Sequence, residues 1–171
     1  MKSCILTLLF LLVASAAALA QTPQPPQGPK KEYGGQGYGY IGPGAFTTDS
    51  DALIHYGAGG EGFLKGGFAA NIDVGGFSSS RNFSEGFAVI SPGVSYHFKK
   101  ASQSGKVVPF VTGGYTLFAG SGGVDNGIHF GGGVNYWFKE RIGLRVEIRD
   151  FVPVPVDDFH ILGFRFGVSF R

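Results

Sequence analysis

Along most of the chain, large apolar residues fall at every second position. The last twelve residues, His160 to Arg171, read H-I-L-G-F-R-F-G-V-S-F-R. Leu162, Phe164, Phe166, Val168 and Phe170 share one phase, while Gly163, Arg165, Gly167 and Ser169 share the other. A period of two sends alternate side chains to opposite faces of a strand. One face of this segment is large and apolar, the other small or charged. A single segment of this kind also suits a soluble sandwich, so the reading rests on recurrence.

From Tyr33 onward the pattern predicts eight strands. The first, Gly37–Thr47, carries Tyr38, Tyr40 and Phe46 on one phase. The second, Ala52–Leu64, turns Ile54, Tyr56, Ala58 and Leu64 outward, with His55, Glu61 and Phe63 inward. After a tight turn at Lys65-Gly66, the third, Gly67–Phe77, faces Phe68, Ala70, Ile72 and Val74 out and Asn71 and Asp73 in. Ser78–Glu85 reads as a polar loop. The fourth strand, Gly86–Lys99, points Ala88, Ile90, Val94, Tyr96 and Phe98 out and Ser91, Ser95 and His97 in, with a bulge expected at Pro92 because proline cannot donate to the ladder. Lys100–Lys106 is the next turn. In the fifth, Val107–Ala119, both phases hold large residues, and Val107, Val111, Tyr115 and Leu117 are read as outward. Gly120–Asn126 reads as a glycine-rich loop. The sixth, Gly127–Phe138, puts Ile128, Phe130, Val134, Tyr136 and Phe138 outward, alternating with His129, Asn135 and Trp137. In the seventh, Ile142, Leu144, Val146 and Ile148 face out while Arg145, Glu147 and Arg149 face in, and Pro153–Asp158 links it to the last strand.

The N-terminus says which side of a membrane these strands reach. Lys2, the apolar run Ile5–Val13 and the small residues ending Ala18-Leu19-Ala20 form a secretory signal peptide over 1–20. The apolar run is too short to serve as a retained transmembrane anchor. The only cysteine, Cys4, precedes that run, whereas a lipidated cysteine would follow it. Cleavage leaves 171 − 20 = 151 residues without cysteine, which excludes disulfides and thiol catalysis. Residues 21–32 (QTPQPPQGPKKE) are proline-rich and polar, and are read as a periplasmic tether. The barrel then occupies 33–171.

Strand length favours a membrane over a soluble lipocalin-like barrel. Eleven residues at about 3.3 Å per residue reach roughly 36 Å. A tilt of about 45° leaves about 26 Å of height, which matches an apolar band of about 25 Å. Tyr38, Tyr40, Tyr96, Phe98, Tyr136 and Phe138 recur near strand ends, where aromatic girdles belong. An even strand number places both termini on the periplasmic side. The fold class expected is all-β: an eight-stranded antiparallel transmembrane up-and-down β-barrel. Without Lys2, 13 basic residues balance 12 acidic ones, so nothing in the charge recruits nucleic acid. The 30 glycines are read as architectural, serving bends, bulges and close approach of aromatics. Gly131-Gly132-Gly133 is not a phosphate loop, because no helix follows it.

These strands, the segment Gly143-Leu144-Arg145-Val146-Glu147-Ile148-Arg149-Asp150 and the aromatic C-terminal strand resemble the small outer-membrane β-barrel domain family, the OmpA/OmpX-type eight-stranded barrels often called porin-family proteins. The resemblance spans about Tyr33 to Arg171 and implies a location in the bacterial outer membrane. Its partners would be outer-membrane lipid and lipopolysaccharide, with the barrel assembly machinery reading the C-terminal strand. Family members usually end on the aromatic itself; here Arg171 follows Phe170.

The inward phases collect the candidate site: Glu61, Asp73, Arg145, Glu147, Arg149 and Arg165. Facing lipid, a mid-bilayer arginine would cost about 2–4 kcal/mol. These residues are therefore expected to line the lumen as an ion-pair network. An eight-stranded barrel leaves just enough interior to be filled by side chains. The expectation is a plugged, monomeric, non-catalytic barrel with a structural or interaction role and no cofactor or metal. Its rivals are a narrow pore for small solutes and a lipid-modifying enzyme. Ser95-Tyr96-His97 offers an S-x-H pair, but both side chains point inward, away from lipid. His55, Asp73 and His129 are read as lying near one rim, where a metal or a triad could be imagined. The loops Thr48–Asp51, Ser78–Glu85, Gly120–Asn126 and Pro153–Asp158 are short against the roughly 800 Å² per partner of a standard interface, which argues against host adhesion.

Overall fold

The computed structural model describes residues 34–47, 52–82, 85–98, 105–154 and 160–171. The signal peptide expected over 1–20, the tether over 21–32, the loop Thr48–Asp51 and most of the turn Lys100–Lys106 lie outside these residues. Eight strands follow in order: β1 (Gly35–Phe46), β2 (Ala52–Phe63), β3 (Phe68–Ser79), β4 (Gly86–His97), β5 (Val107–Gly120), β6 (Gly123–Trp137), β7 (Ile142–Val154) and β8 (Ile161–Phe170). Each pairs antiparallel with its neighbours, and β8 pairs back onto β1 to close the barrel. Closure leaves no sheet edge. Between β2 and β3, Lys65–Gly67 makes a single 3-10 turn, where Gly66 (φ 75°) and Gly67 (φ 97°) take up a left-handed backbone.

The outer surface is apolar for the reason the alternation implied. Phe68, Ile72, Val74, Val94, Phe130, Val146 and Phe166 are each about half exposed, though water would not tolerate such a surface on a free-standing protein. The outward residues read for β5 stand as expected: Val111 and Tyr115 are exposed, while Val108, Phe110, Thr112, Thr116 and Phe118 are buried in the interior. Phe68, Tyr96 and Phe98 make edge-to-face contacts at 5.0 and 4.9 Å at the end that carries the termini. With Tyr136, Phe138 and Phe170 they form the girdle of that end.

Four expectations need correction. Tyr38 and Tyr40 do not belong to the girdle; both are buried in the lumen. The outward phase of β1 is instead Gly37, Gly39, Ile41, Pro43 and Ala45, small enough that size alone misassigns the faces. Pro92 makes no bulge, because the β3–β4 register runs unbroken through Ile72↔Pro92. Toward β5 the ladder skips Ser91 and Pro92 and resumes in the same register, so the missing N–H opens a gap without a slip. A matching gap on the β1–β8 seam spans Gly42 and Pro43, on the opposite side of the barrel. The expected loop Gly120–Asn126 shrinks to a tip at Ser121-Gly122. Leu117↔Asn126, Phe118↔Asp125 and Ala119↔Val124 pair, and the Tyr115 hydroxyl donates to Asn126 Oδ1. Finally, β7 continues through Pro153 to Val154, where Pro153 opposes Gly127 near the strand's end and its absent N–H costs little.

Candidate functional site

The lumen is built from the inward phase, and its charge comes from two facing walls. Arg145, Glu147 and Arg149 occupy successive inward positions of β7, and Arg165 lies directly across from Glu147 on β8. Asp73 projects inward from β3, four strands around the barrel from β7, and Glu61 projects from β2, diagonal to Asp73 across the ladder. All six are at most 5% exposed.

These side chains meet in the middle. Glu147 Oε1 lies 2.6 Å from Arg149 Nη2, and Oε2 accepts from Arg145 Nε at 3.1 Å. Arg149 Nη1 donates to Asp73 Oδ2 at 2.8 Å, and Arg165 Nη1 donates to Asp73 Oδ1 at 3.3 Å. Arg145 Nη2 reaches across to Glu61 Oε1 at 3.0 Å. Arg165 lies 3.7 Å from Glu147 Oε1, so its nearer carboxylate is Asp73. Three guanidinium groups thus meet three carboxylates. Each arginine reaches two carboxylates, so deleting any one carboxylate leaves every guanidinium another within reach.

Aromatic faces supply the rest of the enclosure. The Arg145 guanidinium lies between Tyr38, at 4.1 Å, and Phe110, at 3.9 Å. Arg165 covers Tyr40 at 4.1 Å. A flat guanidinium is weakly hydrated and stacks on such rings, so burial is far less costly than for a lysine. That explains why β1 turns its tyrosines inward. Smaller polar links fill the flanks. Gln36 Nε2 donates to Glu61 Oε2 at 3.0 Å, and His97 Nε2 lies 2.6 Å from the same oxygen. Asn71 bonds Thr112 at 3.2 Å, and Ser91, Thr116 and His129 Nδ1 form a chain at 3.0 and 2.9 Å.

Beyond the polar layer, toward the end away from the termini, the lumen turns apolar. Leu53, Phe77, Val89, Phe118, Phe151 and Ile161 pack into one buried cluster, with Phe46 and Phe87 against it. His55 sits at the boundary, stacked on Phe77 at 4.0 Å with Nε2 3.3 Å from Arg165 Nη2. The sequence reading missed this second layer. Its signal was present: two more steps along the inward phase lead from Asp73 to Phe77 and from Glu147 to Phe151.

Comparison with known proteins agrees with this geometry. Residues 6–171 match the outer membrane protein β-barrel domain. The chain belongs to that family. Among solved structures the barrel is similar to Neisserial surface protein A, with a TM-score of 0.60 and 17% identity over 80% of this chain and 94% of that one. It is also similar to the N-terminal β-barrel domain of Pseudomonas aeruginosa OprF, with a TM-score of 0.57 and 15% identity over 80% and 96%. Ail, the attachment invasion locus protein of Yersinia pestis, gives 0.51 and 10% over 81% and 99%. At such identities the likeness is one of fold. No curated protein matches the chain in sequence. Membership of the outer-membrane barrel family places the chain in the bacterial outer membrane, with its apolar face in lipid.

Within this outer-membrane barrel the rim assignment of His55, Asp73 and His129 fails. All three are buried inside the wall, Asp73 at the centre of the ion pairs and His129 on Thr116. For Asp73 and His129 the count along the strand misled because β3 and β6 extend further than expected past those positions. Among the described residues no group of three or more His, Cys, Asp or Glu gathers as a metal set. Ser95 and His97 do meet, at 3.3 Å, but through the same Nε2 that faces Glu61. A catalytic relay needs the acid on one ring nitrogen and the nucleophile on the other.

Proposed function

We propose that this outer-membrane barrel is a monomeric membrane protein without catalytic activity, whose lumen is plugged by two stacked layers of side chains. Glu61, Asp73, Arg145, Glu147, Arg149 and Arg165 are the ion-pair plug, and the cluster around Phe77 and Phe151 is an apolar seal above it. The observation that carries the reading is the seal. A path for ions or small solutes must cross the phenylalanine layer, which offers no polar group to replace a hydration shell. Closure of β8 onto β1 supports a monomer, because no strand edge remains to pair with a second copy. The role is then one of structure or interaction at the membrane. Outer-membrane lipid and lipopolysaccharide contact the outward face, and β8, with Phe164, Phe166 and Phe170 outward, is what the barrel assembly machinery engages.

Planar-bilayer recording tests the plug. The refolded protein should give no steady large-pore current; stable openings on the scale of a general porin would overturn the reading. A lipid-modifying activity would need a nucleophile at the lipid face. Ser95 and His97 are buried on the lumen side instead, which weighs against it.

A further inference from the structure

At the end away from the termini an open cup lies above the apolar seal, beside the tip of the β5–β6 hairpin. The cup holds about 380 Å³, and Phe46, Phe87, Phe118, Val154 and Ile161 contribute to its walls. Phe118 and Ile161 also belong to the buried cluster, so the floor of the cup is the seal and the cup is a dead end. Gly120, Gly122 and Gly123 form a thin lip.

Among the described residues one ionisable side chain lines this cavity, the carboxylate of Asp125. Its direction follows from the ladder. Asp125 is the cross-strand partner of Phe118, and opposed residues project from the same face of a sheet. Phe118 points into the lumen, so Asp125 points over the aromatic walls. Among the described residues no lysine, arginine or histidine lines the cup.

Charge is divided unevenly between the two ends of the barrel. Glu85 closes the β3–β4 connection at the end that holds the cup, where Arg81 also lies. Lys65, Lys106, Lys139, Arg141 and Arg171 all fall at the opposite end. With these cations at the far end, the mouth that holds the cup is the more favourable of the two for a cationic ligand.

We propose that the cup binds hydrophobic organic cations, a quaternary or protonated amine carrying apolar or aromatic groups. Each part of the ligand has its counterpart. Ring faces of Phe46, Phe87 and Phe118 attract a cation through their quadrupoles and bury its apolar groups. The Asp125 carboxylate supplies the counter-charge at the rim. The volume lies at the lower end for small-molecule sites, enough for one ring and an ammonium group and too small for a folded peptide. With a sealed floor, the outcome is capture at the surface and not passage.

Full-length barrel refolded in dodecyl maltoside tests this with two probes, benzyltrimethylammonium and its neutral carbon isostere neopentylbenzene, read by ligand-observed NMR against empty micelles. The cation should bind about tenfold more tightly than the isostere. Asp125→Asn should bring the two probes to within about threefold by weakening the cation alone, and Asp125→Glu should restore the preference. Asp125 lies near a hairpin tip, and retention of the heat-dependent gel shift checks that each variant is folded. Equal or tighter binding of the isostere would overturn the proposal by reducing the cup to an apolar pocket. An undiminished preference in Asp125→Asn would overturn it as well, and so would failure of both probes to bind.

Discussion

Glu147→Ala is the perturbation that asks most of the lumen. Glu147 is 1% exposed, 2.6 Å from Arg149 and 3.1 Å from Arg145, and lies across the ladder from Arg165. Its removal changes three cations against three anions into three against two. Breaking a fully buried pair costs about 3–5 kcal/mol, because one charge is left uncompensated. Here the arginines keep other partners: Arg145 holds Glu61 at 3.0 Å and Arg149 holds Asp73 at 2.8 Å. Water can also enter the space vacated by the side chain. The expected loss is therefore about 2–4 kcal/mol, while Glu147→Gln, which keeps the shape and an acceptor, should lose less. The neighbouring Val146→Ala removes only outward apolar contact with lipid and should cost at most about 1 kcal/mol. Urea titration of refolded barrels measures all three. The single tryptophan, Trp137, is buried beneath the Arg171 guanidinium at 4.0 Å, and its emission reports unfolding without an added label. Equal losses for Glu147→Ala and Val146→Ala, or a larger loss for valine, would refute the buried-network reasoning.

Four other outcomes are expected. The protein should fractionate with outer membranes and migrate differently on gels before and after boiling; recovery as a soluble periplasmic protein would contradict the membrane placement of Phe164, Phe166 and Phe170. Phe151→Ala, at a fully buried position in the seal, should destabilise the refolded barrel by about 3–5 kcal/mol in the same titration, and a loss under 1 kcal/mol would show that the seal is loosely packed. Gly133→Ala should destabilise by more than about 2 kcal/mol, since its Cβ would stand 2.1 Å from the Val146 carbonyl oxygen and 2.9 Å from Phe110. Gly62→Ala, with nothing within 4 Å, should change stability by less than about 0.5 kcal/mol.

The inward and outward faces of β3, β4, β7 and β8 could be read from the sequence because each pairs large apolar residues on one phase with charged or hydroxyl groups on the other. β1 resisted the same reading. Its lipid face holds glycine, proline, alanine and one large residue, Ile41, its lumen face holds tyrosine, and only the distant guanidinium groups of Arg145 and Arg165 decide which side the rings take. Loop limits were misread wherever glycine or proline was treated as a stop. In the β5–β6 hairpin the antiparallel partner supplies the pairing that local propensity disfavours, and Pro153 survives near the end of its strand. The charged members of the lumen were legible as a set, but their pairing was not. Alternation tells which residues point inward, whereas register and shear around a closed barrel decide which of them meet.

The glycines explain how so much charge fits in so narrow a barrel. Each arginine of β7 is flanked by a glycine: Arg149 by Gly131 and Gly163, and Arg145 by Gly167. Glu147 is flanked by Gly133, and Asp73 by Gly59. A Cβ at Gly163 would lie 2.7 Å from the His55 ring, and one at Gly59 would lie 2.6 Å from the Asp73 carboxylate. An eight-stranded barrel has room for one layer of side chains at each level, so a long inward residue on one strand demands a short one beside it. Glycine in a strand weakens it by leaving nothing to pack and by its backbone entropy. In this chain the deficit is offset by the guanidinium and carboxylate groups that occupy the space. The residues that look like breaks in the pattern and the residues that carry its charge are therefore two halves of one device, and neither would be tolerated without the other.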